Sequence, residues 1–405
     1  MTNRIRFLLI AVSTILVSYV LIGGVIGRGD SSNEKTYRDL GVYQEVLSRI
    51  KSDYVTEPDL KKVTGGAIRG LLEALDPYST YFTPQEFKDY TDHPAPGPAS
   101  VGIFVSKKMG FSTVVAVLPG SPADKAGIKA GDLIDRVDNG PTRELSAVQL
   151  MRLLAGQPGT TVNLAVVREV RGEPQLMTLT REVLHPPAAS GKEVDNDAAY
   201  IQVATFNKGK SAEISSKLKE LIAAGATKIV LDLRDCAGGE VDEAVDTASL
   251  FVDKGLITYA VGQRFPREDF NAKPGGKVYG QPLVVLINQS TAGPAEIVAS
   301  AILGNKRGEV VGTRSFGMGV IQKTLAVGDG SGLLLSVAKY YRFDDKPIID
   351  NGITPSVVQM ASSDNGAADD DDEVAEPEQL GGKDDLQLQK ALEILKQQSA
   401  PAKAA

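Results

Sequence analysis

Cysteine is all but absent from this 405-residue chain. Cys236 stands alone, which excludes an internal disulfide framework and a cysteine-built zinc site. Histidine is almost as scarce. His93 lies in the proline-rich segment HPAPGP and His185 in HPP. Neither linker position can hold an imidazole rigidly by a third group, as a Ser-His-Asp triad requires. An excess of positive charge is missing too. The net charge is −7, and residues 361–405 alone carry 11 acidic and 4 basic side chains. The first 360 residues therefore sum to zero, and a nucleic-acid surface, which needs a basic face, is not expected. No metal and no organic cofactor is expected either.

What is present begins with an apolar run. Arg4 and Arg6 precede residues 7–27, an uncharged and largely apolar stretch. Its length matches the ~20 residues that span a bilayer. It exceeds the usual apolar core of a signal peptide and lacks a clear Ala-x-Ala-like site. Residues 1–30 are therefore expected to be an uncleaved membrane anchor, with the positive end in the cytoplasm and the rest of the chain outside.

The remaining length suits a multi-domain α+β protein. Residues 37–92 read as a helical segment. Val42, Tyr43, Val46, Leu47 and Ile50 fall at helical spacing, as do Ile68, Leu71, Leu72 and Leu75. The second helix stops at Asp76-Pro77. Thr83-Pro84-Gln85-Glu86 starts another, with Thr83 as N-cap, Pro84 at the first helical position and Glu86 closing a capping box. Residues 93–98 are a linker. Residues 99–184 form the next domain, with strands at 101–105, 112–117 and 161–168 and an amphipathic helix at 145–154. Residues 185–360 alternate strands and helices, and the continuous apolar runs IVLDL and LVVLI fit a largely parallel sheet covered on both faces. Residues 361–405 are an acidic tail, mostly disordered, with one short helix at 386–395.

Two stretches carry a resemblance. The run PGSPADKAGIKAGDLIDRVDNGP within 99–184 resembles a PDZ domain of the circularly permuted bacterial kind. That resemblance implies capture of a protein C-terminus as an added strand, its carboxylate held in a nest of backbone N–H groups around Ser100, Val101, Gly102 and Ile103. The segment NQSTAGPAEIVASAILGNKRGEVVGTRSFGMGVIQ, residues 288–322, resembles the catalytic stretch of the carboxy-terminal processing proteases, also called tail-specific proteases. Further matches are LLEALDPYSTYFTPQEF, LDLRDCAGGEVDEAVDTASLFV, VAKYY, GITP and LQLQKALEIL. The resemblance covers residues 37 to about 396 and implies a crotonase-like α/β core with a Ser/Lys dyad.

The dyad positions are where this chain departs from the family pattern. The nucleophilic serine falls on Gly293 and the general-base lysine on Met318. The residue after the nucleophile, which normally gives one oxyanion N–H, is Pro294, which has none. Cys236 replaces an asparagine. The frame persists: Glu296, Gln322 at the position that orients the lysine, and Gly238-Gly239 for the other oxyanion donor. Nearby polar groups that invite a rescue of the chemistry are Ser290, Thr291, Ser315, Lys306 and Lys323. Two readings stand. One is a membrane-anchored pseudoprotease on the extracytoplasmic side that binds C-termini without cleaving. The other is a working endopeptidase with rearranged residues. Expected partners are unfolded or C-terminally exposed proteins, a second copy of the chain or an active relative, and the membrane.

Overall fold

The computed structural model describes residues 31–93, 97–108, 110–168, 172–361, 380–382 and 384–399. The expected anchor at residues 1–30 and the acidic run at 369–373 lie outside the described residues. Among the described residues, no helix is long and apolar enough to cross a membrane. The chain divides into two units, residues 1–68 and 69–405.

The first unit holds α1 (Ser31–Asp53) and most of α2 (Leu60–Glu73). The apolar spacing of α1 predicted the helix correctly but not burial: Val42 and Val46 are 57% and 51% exposed. In the second unit α2 ends at Glu73, ahead of Asp76-Pro77. The Asp76 carboxylate then organises a turn, accepting from the backbone N–H groups of Tyr78 and Ser79 at 2.8 and 2.7 Å. Of the apolar set expected to pack, Leu72 is buried, whereas Leu71 and Leu75 are exposed. Strand β1 (Thr80–Phe82) follows, then α3 (Pro84–Asp92). Thr83 and Glu86 form the expected reciprocal capping box, with Pro84 in the first turn.

Next comes a small antiparallel domain. Its elements are β2 (Ala99–Ser100), β3 (Ile103–Lys108), β4 (Phe111–Val117), α4 (Pro122–Lys125), β5 (Leu133–Val137), β6 (Gly140–Pro141), α5 (Ala147–Leu154), β7 (Ala155–Gly156), β8 (Thr161–Val167) and β9 (Gln175–Thr180). The main sheet runs β3-β4-β5-β8-β9, so β3 is an edge strand. Strand β3 starts two residues later than the sequence suggested, because Val101 and Gly102 form a loop. Ile103 and Val105 point into a core shared with Leu150 and Leu154 of α5. Opposite them, Phe104 pairs with Ala116 while Val105 pairs with Val114. Val115 is thus one extra residue, a bulge, which lets successive side chains turn to one side.

The largest domain contains β10 (Ser190–Val194), β11 (Ala198–Gln202), α6 (Lys210–Ala223), β12 (Lys228–Asp232), α7 (Val241–Ser249), β13 (Leu256–Val261), β14 (Glu268–Asn271), β15 (Leu283–Ile287), α8 (Pro294–Gly304), β16 (Glu309–Gly312), β17 (Val320–Ala326), β18 (Gly332–Tyr341) and β19 (Val357–Val358). One sheet runs β10-β11-β12-β15-β16-β19. It is parallel except for the β10–β11 pair. Alternate strand residues face opposite ways. Ile229, Leu231, Leu283 and Val285 meet helices α6, α7 and α8 on one face. A second sheet joins β13, β14, β17 and β18, and β1 is added to it through Thr80 opposite Leu334.

The other face of the parallel sheet carries the short helix expected at 386–395. It is α9 (Leu386–Ser399), which buries Leu388, Ala391 and Leu395 against Val230, Val284, Leu286 and Val311. Burying a leucine stabilises by roughly 1.5–3 kcal/mol. Arg234, almost wholly buried, pairs with Asp232 and with Asp385 just before α9, each at 2.6 Å. Burial works against the guanidinium's charge, but Asp232 and Asp385 more than offset it, so its pKa rises.

Candidate active site

The site is assembled from three loops at one end of the parallel sheet, and each is placed by local chemistry. The turn after β12 needs residues with left-handed backbone. Asp235, Gly238 and Gly239 have φ of 55°, 74° and 108°. A Cβ on Gly239 would lie 2.3 Å from the Phe206 backbone, so only glycine fits there. The loop after β15 is fastened to this turn. Asn288 accepts from Asp235 N–H at 3.0 Å and donates to the Asp235 carboxylate at 2.9 Å. Thr291 Oγ1 donates to Leu233 O at 2.7 Å, and Ala292 N–H donates to Cys236 O at 2.9 Å. The third loop, ahead of β17, joins through Phe316 N–H, which donates to Thr291 O at 2.9 Å.

Gly293 is the N-cap of α8 with φ 68° and ψ −122°, and Pro294 begins the helix. A side chain at 293 would start in open space, its closest neighbour being Met318 O at 4.0 Å. The two positions that the family pattern assigns to nucleophile and base are thus side by side, occupied by residues with neither a nucleophilic nor a titratable group. Cys236 next to them is fully buried and inert in character, because burial pushes its thiol up.

Glu296 ties the arrangement together. It is completely buried. Its carboxylate accepts from Gly293 N–H at 2.9 Å, Gly317 N–H at 2.8 Å and Met318 N–H at 2.7 Å, and from the Ser315 hydroxyl. Complete burial pushes this carboxyl up to about 7, with the four donors pulling the other way. One side chain thereby holds the start of α8 against the loop that carries Met318. Gln322 is present at its expected place on β17, but its amide donates to Tyr78 O at 2.8 Å.

Several side chains at the site went unassigned in the sequence reading. Tyr78 is 4% exposed; its hydroxyl meets Ser106 of the small domain at 3.5 Å, and burial raises its pKa. Phe104, Val115 and Ala116 of β3 and β4 pack against Ala237, Ala292, Phe316 and Met318. The small domain therefore covers the site. The signal was legible in principle: Ile103-Phe104-Val105 and the run from Val114 to Val117 are apolar without alternation, as strands covered on both faces are.

The rescue candidates do not assemble. Thr291 serves the loop. Ser315 donates to Glu296 and accepts from Ile353 N–H at 2.6 Å. Among the described residues, no lysine amine bonds to Ser290, Thr291 or Ser315. No group of His, Cys, Asp and Glu there is arranged to hold a metal ion.

In the small domain, Ser100 exchanges backbone bonds with Glu182 at 3.0 and 3.1 Å. The carbonyls of Val101 and Gly102 accept from Ala123 and Leu118 at 3.0 and 2.8 Å. Gly102 has φ 83°, and a Cβ there would lie 2.2 Å from the Ser121 Cβ. Among the described residues, the N–H groups of Val101 and Gly102 meet no acceptor, although both residues are buried. They lie at the start of the β3 edge, ahead of Ile103.

The profile of Peptidase family S41 matches residues 197–359, and a PDZ domain profile matches residues 113–168. A carboxy-terminal-processing protease of Bartonella bacilliformis is 30% identical over 361 residues, covering 87% of this chain and 82% of that protein. A carboxy-terminal processing protease of Bacillus subtilis is 32% identical, covering 81% of this chain and 69% of that protein. Among solved structures, the photosystem II D1 C-terminal processing protease superposes with a TM-score of 0.65 at 26% identity, covering 78% of this chain and 86% of that one. With its PDZ domain and S41 peptidase domain, the chain belongs to the carboxy-terminal processing protease family.

Proposed function

We propose that this chain captures protein C-termini on its PDZ domain and holds them without cleaving them. One observation carries the reading. Gly293, Pro294 and Met318 come together at one point of a frame that Glu296 holds. Attack on a peptide bond needs a nucleophile, a base to take its proton and donors for the oxyanion. Here the first two have no side chain to act, and Pro294 removes a donor. Parts of such a site work as a unit, so the loss of several leaves little residual rate. The unsatisfied, buried N–H groups of Val101 and Gly102 support the other half of the reading. Buried donors demand an acceptor, and a terminal carboxylate supplies one beside a free strand edge.

Partners would be unfolded proteins or proteins with an accessible apolar C-terminus, and the same surface would serve to hold substrate for an active relative. The apolar run at residues 7–27 supports anchorage to a membrane with the PDZ and peptidase domains on the extracytoplasmic side.

The test incubates the full chain with an unfolded protein that ends in an apolar C-terminus. Saturable binding without new fragments is expected, and amidation of the terminal carboxylate should weaken it at least tenfold. Turnover that disappears in Ser290→Ala or Lys323→Ala would replace this reading with an endopeptidase using rearranged residues. Binding indifferent to amidation would remove the PDZ capture.

A further inference from the structure

Strand β3 and helix α5 are the two walls of a groove in the PDZ domain, and the contacts at its ends fix their relative direction. At one end Ser100, shortly before β3, pairs with Ala155, directly after α5. At the other end Lys107 of β3 reaches the chain ahead of α5. Its amine donates to Thr142 O at 3.1 Å and to Arg143 O at 2.6 Å. The two elements therefore run antiparallel. The unmet N–H groups of Val101 and Gly102 lie at the first end. The second end opens into a cleft of about 380 Å³, walled also by the last turns of α2 and the turn that follows it.

This cleft gathers cations that lack an anion. Arg69 of α2 lines it, and the guanidinium Nε is buried without an acceptor. Lys107 and Arg143 line it as well. Among the described residues, no carboxylate bonds to the Lys107 amine, whose partners are the two carbonyls. Burial lowers the pKa of that amine, with Glu73 opposing and Arg143 adding to the effect. Ser146, the N-cap of α5, borders the cleft, so the positive end of the helix dipole lies beside it. Three carboxylates are present too. Asp76 is consumed by its own turn, accepting from Tyr78 N–H, Ser79 N–H and the Ser79 hydroxyl. Glu73 and Glu144 are exposed, where solvent and salt screen them.

We propose that this cleft is an upstream subsite of the PDZ groove, one that takes an acidic side chain about four residues before the captured C-terminus. The subsite rests on C-terminal capture and adds a charge requirement to it. Its position follows from strand geometry. Ile103, Val105 and Lys107 alternate along one face of β3. A peptide added antiparallel to β3 sets a residue opposite each of them, with its side chain on the same face and roughly 5 Å away. With the terminal residue opposite Ile103, the residue opposite Lys107 lies about four places upstream. A carboxylate there meets Lys107 and supplies the acceptor that Arg69 lacks, through charge-assisted bonds. A side chain one place nearer the terminus points to the opposite face and misses the cleft. The ligand class is thus a protein tail that ends in an apolar residue and carries aspartate or glutamate at this upstream position.

The experiment uses short peptides with a free apolar C-terminus and an N-terminal fluorophore, and reads anisotropy with the full chain. One peptide carries glutamate at the upstream position. The second carries glutamine there. The third keeps that glutamine and has glutamate one place nearer the terminus. Wild type should bind the first about fivefold more tightly than the second or the third, and added salt should shrink that ratio. Arg69→Gln is the milder change, since its Nε has no partner to lose; it should reduce the ratio, and Arg69→Gln with Lys107→Met should bring it to about one. Cooperative thermal unfolding confirms that each variant is folded, and Arg69→Gln alone decides the result where the double variant is not. Equal affinity of wild type for the first two peptides, or an unaltered ratio in folded Arg69→Gln, would overturn the subsite and leave C-terminal capture standing. An equal preference for the displaced glutamate would overturn it as well. Failure of all three peptides to bind wild type defeats capture itself and the subsite with it.

Discussion

The chain has two backbone pockets suited to a peptide, and they differ in what stands in front of them. At the PDZ loop, Gly102 is held by Ser121 from behind, and the Val101 and Gly102 N–H groups are left without an acceptor. At the core turn, Gly238 has the same left-handed backbone and the same unmet N–H, but Phe104 lies on it. The difference extends to the reactive groups. The PDZ loop needs none, since binding a carboxylate takes only aligned donors. The core turn needs two side chains, and both positions hold residues that cannot supply them. The frame around these positions is held by Glu296, Asn288 and Thr291, and none of its hydrogen bonds needs a side chain at 293 or 318.

That contrast breaks most severely at Glu296. In Glu296→Gln, one carboxylate oxygen becomes an amide group facing N–H donors or the Ser315 hydroxyl. A buried donor left unpaired in this way costs about 3 kcal/mol. The pH dependence sharpens the point. The folded carboxyl is raised from 4.5 to about 7, so between those values the native state binds the more protons. Stability is therefore greatest below the window and falls as pH rises through it, by no more than about 3 kcal/mol. Urea unfolding from pH 4.5 to 7.5 should show that slope in wild type and a flatter profile in Glu296→Gln. Parallel profiles would mean that Glu296 is not the group responsible.

The PDZ side of the comparison is tested by Gly102→Ala. The new Cβ collides with Ser121, and the backbone at φ 83° resists any side chain. Affinity for a free apolar C-terminus should fall about 100-fold, near 2.7 kcal/mol, with the unfolding midpoint of the core domain unchanged. Undiminished binding would move the carboxylate site away from this loop.

Much of this was legible in the sequence wherever local physics decides the structure. Thr83-Pro84-Gln85-Glu86 names its own helix start, and the runs IVLDL and LVVLI their two-sided burial. The parts that were not legible depend on residues far apart in the chain. Arg234 meets Asp385 151 positions away, and that contact turns an acidic tail into a docked helix. Phe104 could be seen as apolar, but not what it would touch. Leu71 and Leu75 show the converse: helical spacing marked them for burial, and both are 65% exposed. The departures at Gly293 and Met318 were visible because they lie inside a local motif. The contact of Phe104 with Gly238 was not visible, because it joins two domains.

The smallest expected effect is the most discriminating. Gly293→Ser places a hydroxyl where the family pattern has its nucleophile. No atom blocks it, since the nearest neighbour of its Cβ is 4.0 Å away. The cost is backbone strain at φ 68°, about 1–3 kcal/mol for a residue other than glycine. The variant should fold, lose a few degrees in its unfolding midpoint and show no turnover, because Met318 takes no proton and Pro294 gives no donor. Adding Pro294→Ala and Met318→Lys returns all three functions to a frame that Glu296 already holds. The triple variant is expected to release fragments from an unfolded protein with an apolar C-terminus at a rate measurable over the single variant. Turnover by Gly293→Ser alone would show that another group already serves as base. A folded triple variant without activity would show that the frame has drifted as well as the dyad.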